Sequence, residues 1–163
     1  MIADEILKKA GKKPKSGDWY INSLLNELSK FQTKEVPEDN IGGLAERNMY
    51  FFSYAAQYSY RYEFWDRQPL VYVLKIEGGS FVGINLHYIP PDFREGYALG
   101  LINKEEAFQI PPKSFHRYFF SGVLGGFMRV PKREWTSVVK LPTEKFVDGR
   151  GQPFPKHRAW RIT

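Results

Sequence analysis

Leu70–Ile76 (LVYVLKI) followed at once by Glu77-Gly78-Gly79-Ser80 and then Phe81–Ile89 (FVGINLHYI) is the feature that most limits what this chain can become. A short apolar run rich in β-branched and aromatic residues fits a central strand, covered on both faces. The Gly-Gly pair supplies the positive φ of a tight hairpin turn, so the second run folds back on the first. Period-two alternation then places Val82, Ile84, Leu86 and Tyr88 on one face and Asn85 and His87 on the other. Upstream, residues 48–56 read as another strand, with Tyr50, Phe52 and Tyr54 opposite Phe51 and Ser53. An antiparallel sheet is therefore expected. The polar segment between the first two strands reads as a long hairpin connection, and Phe127–Val130 as a further short strand.

Around this sheet the sequence predicts helices. Residues 2–10 have acids first and lysines last, matching the helix dipole. Residues 18–31, capped by Ser16 or Asp18, place Tyr20, Leu24, Leu25, Leu28 and Phe31 at helical spacing. Two Ile-Pro-Pro steps, at 89–91 and 110–112, put a proline in the first turn of helices expected over Asp92–Ile102 and Lys113–Val123. Pro131 starts a one- or two-turn helix. Residues 32–47 read as a linker loop, and the prolines and glycines after Val147 as an irregular tail.

With 163 residues the chain can bury a core, and 17% aromatic content makes that core one of Phe and Tyr. There is no cysteine, which excludes disulfides, thiolate metal sites and thiol nucleophiles. No apolar run is long enough for a membrane-spanning helix, and the N-terminus lacks a secretory signal pattern. An intracellular or particle-borne protein is expected. The net charge of +6 is segregated: residues 108–163 hold eleven Lys/Arg against three Asp/Glu, whereas the rest is neutral or acidic. Arg129, Lys132, Arg133, Arg150, Lys156, Arg158 and Arg161 are the candidate contacts to DNA or to an acidic partner.

No catalytic or metal-binding set emerges. His87 with Asp92 and Arg94 is the only acid–base grouping, and no nucleophile accompanies it. His87, His116 and His157 lack ligand spacing, and neither Gly-Gly pair matches a phosphate loop. No catalytic residue, metal or cofactor is therefore assigned. Trp65, Asp66 and Arg67 read as a structural corner, with His87 a hydrogen-bonded structural histidine. Trp19, Tyr20, Phe154 and Trp160 are the candidate protein-interface residues, since large aromatics with basic neighbours make anchors.

From Ser16-Gly17-Asp18-Trp19-Tyr20 onward the chain resembles a family of small proteins of tailed, chiefly contractile-tailed, bacteriophages. The resemblance rests on Met49-Tyr50-Phe51-Phe52-Ser53-Tyr54, Phe64-Trp65-Asp66-Arg67-Gln68-Pro69-Leu70-Val71, and Gly83-Ile84-Asn85-Leu86-His87-Tyr88-Ile89-Pro90-Pro91 with Arg94. Phe127-Met128-Arg129-Val130-Pro131, Trp135, Leu141-Pro142 and Phe146 extend it, so it covers residues 16–147. Some members carry head-completion or DNA-end-protection labels. The resemblance implies a non-enzymatic virion or assembly component of the neck, tail or baseplate. It would reside in the virion, and in the host cytoplasm during assembly. Its partners would be other phage virion proteins and DNA, with several copies in a symmetric particle and no membrane span. The alternative is a small basic nuclease or nucleic-acid-binding barrel protein using Arg67, Arg94 or His87.

The expected fold is α+β: a small, partly open SH3-like β-barrel with short peripheral helices and extended termini. Residues 1–47 would be a helical arm and linker, 48–147 the core domain, and 148–163 an extended basic tail, mobile until it finds a partner.

Overall fold

The computed structural model describes residues 1–32, 43–57, 59–104 and 109–161. Most of the expected linker, Tyr58 and the last two residues lie outside them. The architecture is α+β, as expected. Strands β1 (Met49–Tyr54), β3 (Leu70–Glu77), β4 (Ser80–Asn85), β5 (Phe115–Phe119) and β6 (Val123–Val130) form one antiparallel sheet in the order β5-β4-β3-β1-β6. β2 (Phe64–Asp66) and β7 (Phe146–Asp148) form a second, two-stranded sheet. The expected barrel is not closed: among the described residues β5 and β6 are the two edges of the main sheet.

β3 is central, and its hairpin with β4 turns at Glu77↔Ser80 over Gly78, whose φ is +58°. Gly83 in β4 has a different reason. A Cβ there would stand 2.3 Å from Val71 Cγ1 and 2.6 Å from the Tyr72 carbonyl oxygen, so only glycine allows the two strands to approach.

Both faces of the main sheet are covered. One carries Met49, Phe51, Leu70, Tyr72, Ile84 and Val130, and meets helices α1 (Ile2–Ala10), α2 (Gly17–Ser29) and α4 (Trp135–Val138). The residues expected in an N-terminal arm are thus part of the main core: Ile2, Ile6, Leu24 and Leu28 are all at or below 4% exposure. Ser16 caps α2 by accepting from the Trp19 N–H, and the buried Glu134 accepts from the Ile2 N–H at 3.1 Å. The other face carries Tyr50, Phe52, Val71, Val73, Phe81 and Tyr118, an aromatic layer packed edge-to-face.

Three expectations are corrected. The helix expected over Lys113–Val123 is instead a single 3-10 turn, Pro112–Ser114, followed by β5. The Pro-Pro step does start a turn, but Phe115-His116-Arg117-Tyr118-Phe119 has strand propensity, and the open edge of β4 takes it. β4 stops at Asn85, whose side chain accepts from the His87 N–H and turns Leu86–Tyr88 into a 3-10 turn, so His87 is not in a strand. Finally, the tail is not extended. β7 pairs with β2, Val147 bridges Pro153, and α5 (Lys156–Arg161) packs with Ala159 fully buried. α3 (Pro91–Asn103) forms where the first Ile-Pro-Pro step places it.

Candidate nucleic-acid interface

A cleft of about 430 Å³ opens between β5 and the segments 54–57 and 62–66. β5 contributes Phe115–Phe119 as one wall, and Tyr54, Tyr62, Phe64 and Trp65 form the other, with Tyr88 completing it. Alternation along β5 divides its roles: Tyr118 turns into the aromatic layer while Phe115 and Phe119 stay 44% and 43% exposed. Tyr62, which lines the same cleft, is 51% exposed. A second groove, about 330 Å³, shares Tyr62 and is lined by Tyr60, Asp148, Gly149 and Arg150.

The cleft belongs to a run of rings in which each roughly faces the next. Phe154 stacks on Phe64 (4.6 Å, 12°), Phe64 on Tyr88 (5.8 Å, 30°), and Tyr88 faces His116 (4.1 Å, 34°). His116 leads to Tyr118 (6.1 Å, 40°) and Tyr118 to Phe81 (5.5 Å, 30°). This series joins the tail to the core of the main sheet. Burial pushes the His116 pKa down, and its Nε2–H donates to the Lys113 carbonyl, so the ring is neutral at pH 7. Burial likewise raises the Tyr88 and Tyr118 phenols, keeping both protonated. Cations stand at the rim. Arg117 donates to Ser80 Oγ at 2.8 Å and reaches Glu77 at 3.4 Å, and the Arg61 guanidinium lies over the Tyr60 ring at 5.7 Å.

Behind the cleft lies a buried polar network. Asp66 Oδ1 accepts from the Gln68 and Lys145 N–H groups, and Oδ2 from Asn85 Nδ2 and His87 Nδ1 (2.7 Å). The Thr143 hydroxyl meets His87 Nε2 at 2.8 Å. Carboxylate, imidazole and hydroxyl are thus connected as in a hydrolase triad, but their exposures are 3%, 0% and 0%, so no substrate reaches the hydroxyl. Burial alone would raise the Asp66 pKa; the charge and hydrogen bond of His87, with the Lys145 N–H and Asn85, outweigh it and hold the carboxyl below its ordinary range. Next to it the fully buried Arg94 donates to the carbonyls of Ile89, His87 and Val139 and to Glu144 at 3.1 Å. Glu144 also pairs with Lys156 at 2.8 Å. Burial opposes its charge, but Arg94, His87 and Lys156 prevail and lower its pKa.

The residues singled out in the sequence fall into separate places. Trp65, Asp66 and His87 meet at the cleft and the network behind it, and Arg67 stacks on Trp65 at 5.6 Å. Phe154 and Trp160 are occupied within the chain. Phe154 lies on Phe64, while Trp160 donates to the His87 carbonyl and covers Arg94. Lys156 and Arg158 pair with Glu144 and Glu63, Arg150 lines the smaller groove, and Arg161 is exposed. Arg129, Lys132 and Arg133 lie elsewhere, at the end of α2: Gln32 brackets the Arg129 backbone and Arg133 stacks on Phe31. Trp19 and Tyr20 are half-buried against the helix-covered core, so they too are partly engaged.

Sequence reasoning missed Tyr62, Phe115, Arg117 and Phe119 as a set. The alternating FHRYF pentapeptide was the available signal, hidden by the prolines before it. Among the described residues no three His, Asp or Glu side chains are grouped to hold a metal, and no helix is long and apolar enough to cross a membrane.

A protein-family model described as the phage T4 terminal DNA protecting protein matches residues 2–110, more than half of the chain. The match begins before the resemblance read from the sequence, taking in α1, and stops short of β5 and the tail. No curated protein and no solved structure gives a match.

Proposed function

The chain belongs to the phage T4 terminal DNA protecting protein family, and we propose that it is a non-enzymatic virion protein that holds a terminus of the phage genome and shields it from exonucleases. The aromatic cleft carries this reading. Exposed rings with arginines at the rim match the chemistry of DNA, whose bases stack and whose phosphates need cations. The net charge of +6 adds long-range attraction. A protein that holds a genome end belongs where that end lies, which favours a neck or head-completion position over tail or baseplate. Neighbouring virion proteins are then the natural partners of the α2-end cations Arg129, Lys132 and Arg133, and several copies would follow the symmetry of the particle. The same reading places it in the host cytoplasm before assembly.

The nuclease alternative is less well supported. Of the three residues it would use, His87 and Arg94 have 0% exposure, which leaves Arg67 alone at the surface without an acid or base beside it among those three. Purified protein should slow exonuclease digestion of linear duplex DNA without slowing endonuclease cutting of a closed circle. Equal protection of both, or cleavage of DNA by the protein itself with divalent metal, overturns the proposal.

A further inference from the structure

We infer that the cleft is a pocket for unpaired bases, so that the protein prefers a DNA end carrying a single-stranded extension to a flush duplex end. This rests on the DNA-terminus reading above and adds which form of terminus is bound.

A flush base pair would stack on a flat platform. This site is a cleft lined by exposed rings from two segments, Phe115 and Phe119 of β5 and Tyr62, and its volume of about 430 Å³ suits a small ligand moiety inserted among them. A strand leaving it has a continuation, since Tyr62 is shared with the smaller groove, where Tyr60 and Arg150 offer a second ring and a cation. Alternating rings and cations are the general means of holding single strands.

A second observation is independent of shape. The Nε1–H of Trp65, which lines the cleft, is buried and has no acceptor among the described residues. Buried donors rarely go unpaired. The Trp65 ring as a whole is partly exposed, and a turn of it toward the cleft would let a carbonyl oxygen or ring nitrogen of an inserted base accept from Nε1–H. The neutral His116 and the protonated Tyr118 beside it leave that part of the wall uncharged, which suits a base; the charged groups lining the cleft are Asp66, tied to His87, and Arg117. The phosphates fall to Arg117, which lines the cleft, and to Arg150 in the groove that shares Tyr62.

The test uses full-length protein and DNA hairpins closed at one terminus, whose free end is flush or carries a three-nucleotide extension ending in 2-aminopurine. The extended end should bind at least about tenfold more tightly, as expected from stacking one or two bases, and the fluorescence of its last base should change on binding. Tyr62→Ala and Phe119→Ala should bring the ratio of extended to flush affinity close to one, whereas Tyr62→Phe, which keeps the ring, should retain it. Both positions are exposed, and an unchanged melting temperature confirms folding. If wild type binds flush ends as tightly as extended ones, or if Tyr62→Ala keeps the preference, the inference is wrong while terminus binding stands. If a closed DNA circle competes as well as any hairpin, terminus binding itself is wrong.

Discussion

The helix-covered face of the main sheet and the region behind the cleft are built on different principles. The helix-covered face is assembled from periodic apolar segments: Ile2 and Ile6, then Leu24 and Leu28, against Met49, Phe51 and Tyr72. The cleft side is tied by polar bonds between residues far apart in the chain, Asp66 to His87, His87 to Thr143 and Arg94 to Glu144, and by rings stacked across segments. Apolar packing is forgiving of small changes, whereas a buried charge is not, because removing its partner leaves it stranded. The contrast teaches that the side bearing the candidate site is the more brittle one.

The largest effect that would break this contrast is loss of the tail. Deleting residues 148–163 removes Phe154 from Phe64, Lys156 from Glu144 and Trp160 from the His87 carbonyl. We expect a loss exceeding the about 3–5 kcal/mol of one buried phenylalanine, read by urea denaturation. A truncated protein as stable as wild type would show that the tail only lies on the body.

Next is Glu144→Ala, which strands Arg94 at 0% exposure and should cost about 3–5 kcal/mol. Leu7→Ala, on the outer surface of α1, should stay within about 0.5 kcal/mol. Gly83→Ala falls between these two: strand separation at Val71 and Tyr72 should lower stability by about 1–3 kcal/mol, seen as a fall in melting temperature.

Acid sharpens the comparison further. Asp66 and Glu144 have lowered folded pKa values, so their contribution is complete above the ordinary carboxylate pKa of about 4 and disappears as pH falls through the folded values below it. Trp65 and Trp160, on the cleft side, should change fluorescence at a higher pH than Trp19 and Trp135 do, as single-tryptophan variants would report. The smallest effects on stability belong to Leu7→Ala and to Tyr62→Ala, the latter also expected within about 0.5 kcal/mol because the ring is exposed.

The same division governs what was legible in the sequence. The β3–β4 hairpin, α1, α2 and α3 were readable because period and turn chemistry are local. The prolines before β5 suggested a helix because its strand character is realised only by pairing with β4. The tail looked unfoldable because its prolines and glycines forbid long elements, yet short β7 and α5 suffice once Phe64 and Glu144 receive them. The corner at Trp65-Asp66-Arg67 was visible as a motif, but Lys145, which donates to Asp66, and Thr143, which meets His87, are too distant in sequence for any local signal.

The central claim is that a DNA terminus sits in the aromatic cleft, and photocrosslinking tests it most directly. A halogenated pyrimidine placed at the last position of a linear DNA should crosslink to Tyr62, Phe115 or Phe119, and the same base placed in the duplex interior should not. Crosslinks from the terminal position that map instead to α1, α2 or the Arg129–Arg133 surface would contradict the account.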